Sequence, residues 1–172
     1  MAASALIVKT PEADAVVGSL RNRYDATSKL GVPAHITILF PFMPPESVTP
    51  EVLNRLRSIF ATVPAFSYTL DSIGRFEKTT YLAPVPAEPF IALTTRVVKQ
   101  FPEFPPYSGQ YAGVIPHLTV AHGDERSATI AETELTTGMR SRPPIVGQCN
   151  AVSLLENSSG LWREACAFEL LR

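Results

Sequence analysis

The chain has 172 residues, 45% of them hydrophobic and 18% charged, and its 15 basic and 16 acidic side chains leave a formal net charge of −1. That size and balance fit one folded domain with a core of its own and exclude a disordered chain. They also argue against a long nucleic-acid track, which needs clustered excess Lys and Arg, so an anionic ligand is small or gripped at one end.

The opening MAASALIVKTPEAD carries an apolar run too short for a signal peptide and no basic leader. No stretch approaches the roughly 18 apolar residues of a membrane span, so a cytoplasmic location without membrane contact is expected. Residues 5–9 read as a short buried strand. Thr10 and Pro11 then cap and open a helix with Val16, Val17, Leu20 and Tyr24 on one face. A polar loop, DATSKLGVPA, leads into an apolar strand carrying His35. Thr49 caps the next helix, Pro50 enters its first turn, and Val52, Leu53, Leu56, Ile59, Phe60 and Val63 form its stripe. Phe66, Tyr68 and Leu70 alternate with Ser67, Thr69 and Asp71, the mark of a half-buried strand, and TTYLAPV is its hairpin partner.

A helix over 88–101 follows, then the loop PEFPPYSGQYAG, a strand with His117, and a helix near 127–138 capped by Ser127. Two strands, roughly 145–156 and 161–171, close the chain around the turn NSSG. A turn centred on Ser158–Ser159 sets Cys166 opposite Ala151 and leaves Cys149 a diagonal neighbour, too far for an easy disulfide. Both cysteines are expected reduced.

Both halves thus read helix, loop, histidine strand, helix, hairpin, and His35 and His117 precede Phe66 and Val146 by 31 and 29 residues. The repeated order predicts an α+β fold: one bilobal, pseudo-twofold domain over 1–172, with lobes near 1–86 and 87–172. Two mainly antiparallel sheets would face each other across a central cleft, with helices outside.

Two of the three histidines sit in matching stretches, GVPAHITILFPF and GVIPHLTVAHG, each with a threonine two residues on. Residues two apart in a strand share a face, so His35 with Thr37, and His117 with Thr119, face away from Ile36, Ile38, Leu118 and Val120. Two imidazoles across a cleft suit phosphodiester chemistry. One takes a proton from the attacking oxygen, the other gives one to the departing oxygen, and the threonine hydroxyls donate to non-bridging oxygens. Near neutrality one histidine can be neutral and its partner protonated. No metal or cofactor is needed.

HITILFPF and HLTVAHG, with FPFMP, IGRFEKTTYLAP and VIPHLTVA around them, resemble the paired His-x-Thr motifs of the 2H phosphoesterase superfamily. That group includes 2′–5′ RNA ligase-like proteins and 2′,3′-cyclic phosphodiesterases. The resemblance implies that His35 and His117 are the acid–base pair, that Thr37 and Thr119 hold phosphate, and that the substrate is a nucleotide or an RNA end. Many relatives carry a basic residue five positions after the second motif histidine; here His122 stands there. Alternation turns His122 away from the cleft unless the strand twists or ends, which favours a strand-end histidine bonded to nearby backbone.

Tyr111 and Tyr107, from the long loop before His117, are candidates to line the cleft and stack on a base. Arg75 is a candidate phosphate partner, while Phe76, Tyr81 and Trp162 are assigned to the core. Two other readings stay open: a metalloprotein using His35, His117 and His122, and a non-catalytic module that binds nucleotides or RNA ends. Nothing points to an obligate protein partner.

Overall fold

The structure is a computed structural model, and it describes residues 1–110 and 113–172. Among the described residues, eight strands form two four-stranded antiparallel sheets. The first sheet is built from β1 (Ser4–Lys9), β2 (His35–Leu39), β7 (Ala151–Glu156) and β8 (Arg163–Glu169), in the order β2-β1-β7-β8. The second contains β3 (Phe66–Phe76), β4 (Thr79–Val85), β5 (Leu118–His122) and β6 (Ile145–Cys149), in the order β5-β4-β3-β6. Helices α1 (Asp14–Tyr24), α2 (Ala26–Lys29), α3 (Pro50–Ala61), α4 (Glu88–Gln100) and α5 (Glu125–Arg140) complete the α+β fold.

The strands bury the faces that alternation assigns to helices. Ile36, Ile38, Leu118 and Val120 are at most 2% exposed, whereas His35, Thr37, His117 and Thr119 are half-buried on the opposite face. One apolar core runs through both sheets, with Phe60, Phe90, Phe101, Phe168 and Tyr68 among its largest buried side chains. Each such ring contributes about 1.5–3 kcal/mol by leaving water. α1 and α5 pack beside β5, α4 beside β2, and α3 beside β8.

Local chemistry fixes the helix starts, not always where the sequence suggested. Thr49 does cap α3, its side chain accepting from the Val52 amide at 3.2 Å. Thr10 caps nothing; its hydroxyl is buried against the Tyr68 hydroxyl at 2.9 Å. Pro11–Ala13 forms a single 3-10 turn before α1 begins. Asp124, not Ser127, caps α5, accepting from both the amide and the hydroxyl of Ser127 at 2.8 Å. A carboxylate there also opposes the positive end of the helix dipole.

The stretch expected as one strand over 145–156 is two. β6 pairs with β3 in the second sheet, and after Asn150 the chain crosses to pair as β7 with β1 and β8. β6 alternates buried and exposed residues at an edge, while β7, an inner strand, buries both faces. The sheets therefore do not follow the division near residue 86: each takes strands from both halves of the chain. Cys149 consequently lies in the second sheet, and Cys166 stands opposite Leu154 rather than Ala151, because the turn is centred on Ser159–Gly160, two register steps beyond the expectation, and a bulge between β7 and β8 adds one more. Both cysteines are free.

Candidate active site

Each motif histidine is oriented by its own chain. The His35 ring meets the Pro33 carbonyl through Nδ1 at 2.8 Å, and the His117 ring meets the Ile115 carbonyl through Nδ1 at 2.7 Å. A carbonyl can only accept, so Nδ1 carries the proton in both rings and Nε2 is left for a substrate. The approach to His35 is held by Arg21. Its buried guanidinium pairs with Asp25 at 3.2 Å and donates to the Val32 carbonyl at 2.9 Å. Asp25 in turn accepts from the Thr27 amide and hydroxyl.

His35, Thr37, His117 and Thr119 line one cavity of about 790 Å³ between the sheets. The expected matched arrangement is thus present: two imidazoles and two hydroxyls converge from separate sheets. His122 lines the same cavity, against the expectation from alternation. β4 and β5 pair Tyr81 with Thr119, Thr80 with Ala121 and Thr79 with His122, so Val120 is an extra, bulged residue. The bulge reverses the alternation and returns His122 to the face of Thr119. There its Nδ1 bonds the Thr79 hydroxyl at 2.7 Å, a side chain rather than the backbone.

Arg75 is not brought to the site. Its guanidinium pairs with Glu132 of α5 at 2.6 Å, so it fastens that helix to the β3–β4 hairpin. Arg23 is likewise engaged by Glu134 of α5, at 2.6 Å. Among the described residues, Lys78 is the one Lys or Arg lining the cavity. Tyr107 lines it too, and its amide donates to the Phe40 carbonyl at 2.6 Å. Tyr111 lies outside the described residues.

Two rings assigned to the core belong to the cleft instead. Phe76, the last residue of β3, and Trp162, just ahead of β8, both line the cavity. Phe76 and Tyr81 stack at 4.6 Å between centroids, and each lies 5.4 Å from the His117 ring. Tyr81 reaches this position by lying across Gly74, its cross-strand partner, where any Cβ would strike the phenol ring.

Burial dominates the electrostatics. It lowers His35 to about 4, only partly offset by the bond to the Pro33 carbonyl, and it lowers His117 as well. Both imidazoles therefore favour the neutral form at pH 7, whereas the sequence allowed one to be neutral and its partner protonated. Negative charge placed beside either ring would raise its pKa again. As for a metal, no three His, Cys, Asp or Glu side chains among the described residues are grouped to hold an ion. Thr79, Lys78 and Phe40 were missed from the sequence; only the register of β4 against β5 could have shown Thr79.

Known proteins share this architecture. LigT of E. coli, solved in complex with NADP+, matches with a TM-score of 0.60 at 18% identity, covering 99% of this chain and 98% of that one. TT0787 of Thermus thermophilus matches with a TM-score of 0.61 at 19% identity, over 98% and 97%. Usb1 of Kluyveromyces marxianus matches with 0.52 at 14%, over 97% of each chain. No curated protein sequence matches the chain significantly. The profile of the 2′–5′ RNA ligase superfamily matches residues 9–161, nearly the whole fold and both histidine motifs. The chain is a member of the 2′–5′ RNA ligase superfamily, the 2H phosphoesterases.

Proposed function

We propose that this protein opens 2′,3′-cyclic phosphates, or forms and breaks 2′–5′ phosphodiester bonds, at nucleotide or RNA ends without a metal. The observation that carries the reading is the matched pair: two imidazoles with free Nε2 atoms in one cavity, each two residues before a threonine. In hydrolysis, neutral His35 removes a proton from water as the oxygen attacks phosphorus. Protonated His117 gives its proton to the ester oxygen that departs on the far side, and a phosphomonoester results. The roles follow the direction of reaction, and in the synthetic direction the two exchange parts. Thr37 and Thr119 donate to the non-bridging oxygens, where charge builds up. His122, steadied by Thr79, is a third donor toward the same anion, standing where many relatives carry a basic residue.

The test is turnover of a panel of 2′,3′-cyclic nucleotides and 2′–5′-linked dinucleotides, with products identified by mass. Activity is expected to survive chelator and to fall by about 10²–10⁴-fold on replacing either His35 or His117 by alanine. Turnover that persists in both variants, or that disappears with chelator and returns with zinc, overturns the mechanism.

A further inference from the structure

Apart from the principal core, the structure holds a second, smaller apolar cluster: Ala5, Ile7, Val32 and Leu155, with Phe40 and Trp162 packed against it. All six line the cavity that holds the histidines. Strand pairing explains why. Ile7 stands opposite Thr37 and Ala5 opposite Leu155, and directly opposed residues share a face, so this cluster occupies the cleft side of the first sheet. No helix covers it. Its four aliphatic members are at most 8% exposed, while Phe40 and Trp162 remain partly open toward the cavity.

The two rings are held in place. Their centroids lie 6.1 Å apart at 64°, so one offers a face while the other abuts it by an edge. The Trp162 amide donates to the Leu30 carbonyl at 2.7 Å. Gly31, at φ 93, lets the two chain segments touch; a Cβ there would sit 2.7 Å from the Trp162 carbonyl oxygen. Phe40 is tied through its own carbonyl to the Tyr107 amide. Beside His117 the wall mixes Phe76 and Ile115 with Glu77, Lys78, Thr79 and Gln110, and Phe76 is already engaged by the Tyr81 and His117 rings. Phe40 and Trp162 are the aromatic pair on the first sheet's side of the cavity, seated on aliphatic side chains.

We propose that Trp162 and Phe40 are the platform on which the base of the substrate stacks, so that the site takes a single nucleoside phosphate. The nucleoside lies toward the first sheet and the polar ester group toward the second. This rests on the reading of the histidine cleft as the phosphate site. His35, His117, Phe40 and Trp162 line the same cavity, so a phosphate held by the histidines and a base on the platform would share it. The scarcity of cations along the cavity leaves little to grip further phosphates of an extended strand.

Trp162 is the only tryptophan in the chain, so its fluorescence reports on the platform directly. Adenosine 2′-monophosphate titrated into the intact protein is expected to change that fluorescence saturably, while inorganic phosphate leaves it unchanged. By calorimetry, Trp162→Ala is expected to weaken the nucleotide about tenfold or more, as loss of one stacked base does, with Trp162→Phe largely restoring it. Affinity for inorganic phosphate stays the same in both variants. Nucleotide affinity untouched by Trp162→Ala, or an equal fluorescence response to phosphate alone, overturns the platform. Repeating the titration in His117→Ala separates the two readings. A response there stands without catalysis, whereas normal turnover beside an indifferent Trp162 removes the platform and leaves the acid–base pair.

Discussion

A buried imidazole carries its chemistry and its cost together. Burial holds His35 neutral down to about pH 4. In the unfolded chain the same ring protonates near 6.5. Above 6.5 both states are neutral and His35 contributes no pH dependence. As pH falls from 6.5 towards 4, the unfolded state gains a proton that the native state refuses, and stability drops by roughly 3 kcal/mol. His35→Gln removes that titration. Urea unfolding at pH 7 and pH 4.5 is expected to show the variant losing markedly less stability over the interval; equal losses would mean that the ring is not desolvated. The pairing of His35 with Thr37 was legible from period-two alternation alone, and so was His117 with Thr119. His122 was not, because one bulged residue, Val120, inverts the face and leaves no mark in the local sequence. Arg75 failed as a phosphate partner because Glu132, 57 residues away, takes its guanidinium.

At the scale of elements, the β3–β4 hairpin supports the second motif. Gly74 has no side chain, so Tyr81 can lie flat across it and, with Phe76, flank His117. Gly74→Ala puts a methyl group where the phenol ring now rests, and the flexible ring must swing away. The expected result is a fall of about tenfold in kcat with little change in KM. The NMR titration of His117 should move back toward the ordinary histidine value as its surroundings open to water. Tyr81→Ala should reproduce both effects, and the double change should be no worse than Tyr81→Ala alone, since the collision is then gone. A normal His117 titration in Gly74→Ala would dismiss this buttress. Elements with a regular period were readable from the sequence, α3 and α4 most clearly. The change from β6 to β7 was not. Its signal is a switch at Asn150 from alternating burial to burial on both faces, and a single residue between two apolar stretches is too short a break to read as a change of sheet.

The whole molecule interleaves what the sequence sets out in series. The repeated element order correctly implied two sheets and a cleft, because each histidine strand needs a helix-covered face behind it. It misassigned the strands, since pairing partners are chosen by three-dimensional packing and not by order along the chain. The consequence is a molecule whose halves are not independent. Residues 87–172 contain β5 and β6, the two outer strands of the second sheet, whose only partners there are β4 and β3 from the first half. Residues 1–86 in turn leave β1, β3 and β4 each with an open edge, and polar backbone left unpaired at a buried edge is costly. Neither segment should therefore fold by itself. Expressed separately, each is expected to give poorly dispersed amide NMR spectra and no cooperative thermal transition, while the mixture regains dispersion as the sheets complete one another. His35 comes from one segment and His117 from the other, so any phosphoesterase turnover should return only in the mixture. A cooperative melt from residues 87–172 alone would show that the second sheet does not need its central strands from the first half, and the interlocked fold would have to be abandoned.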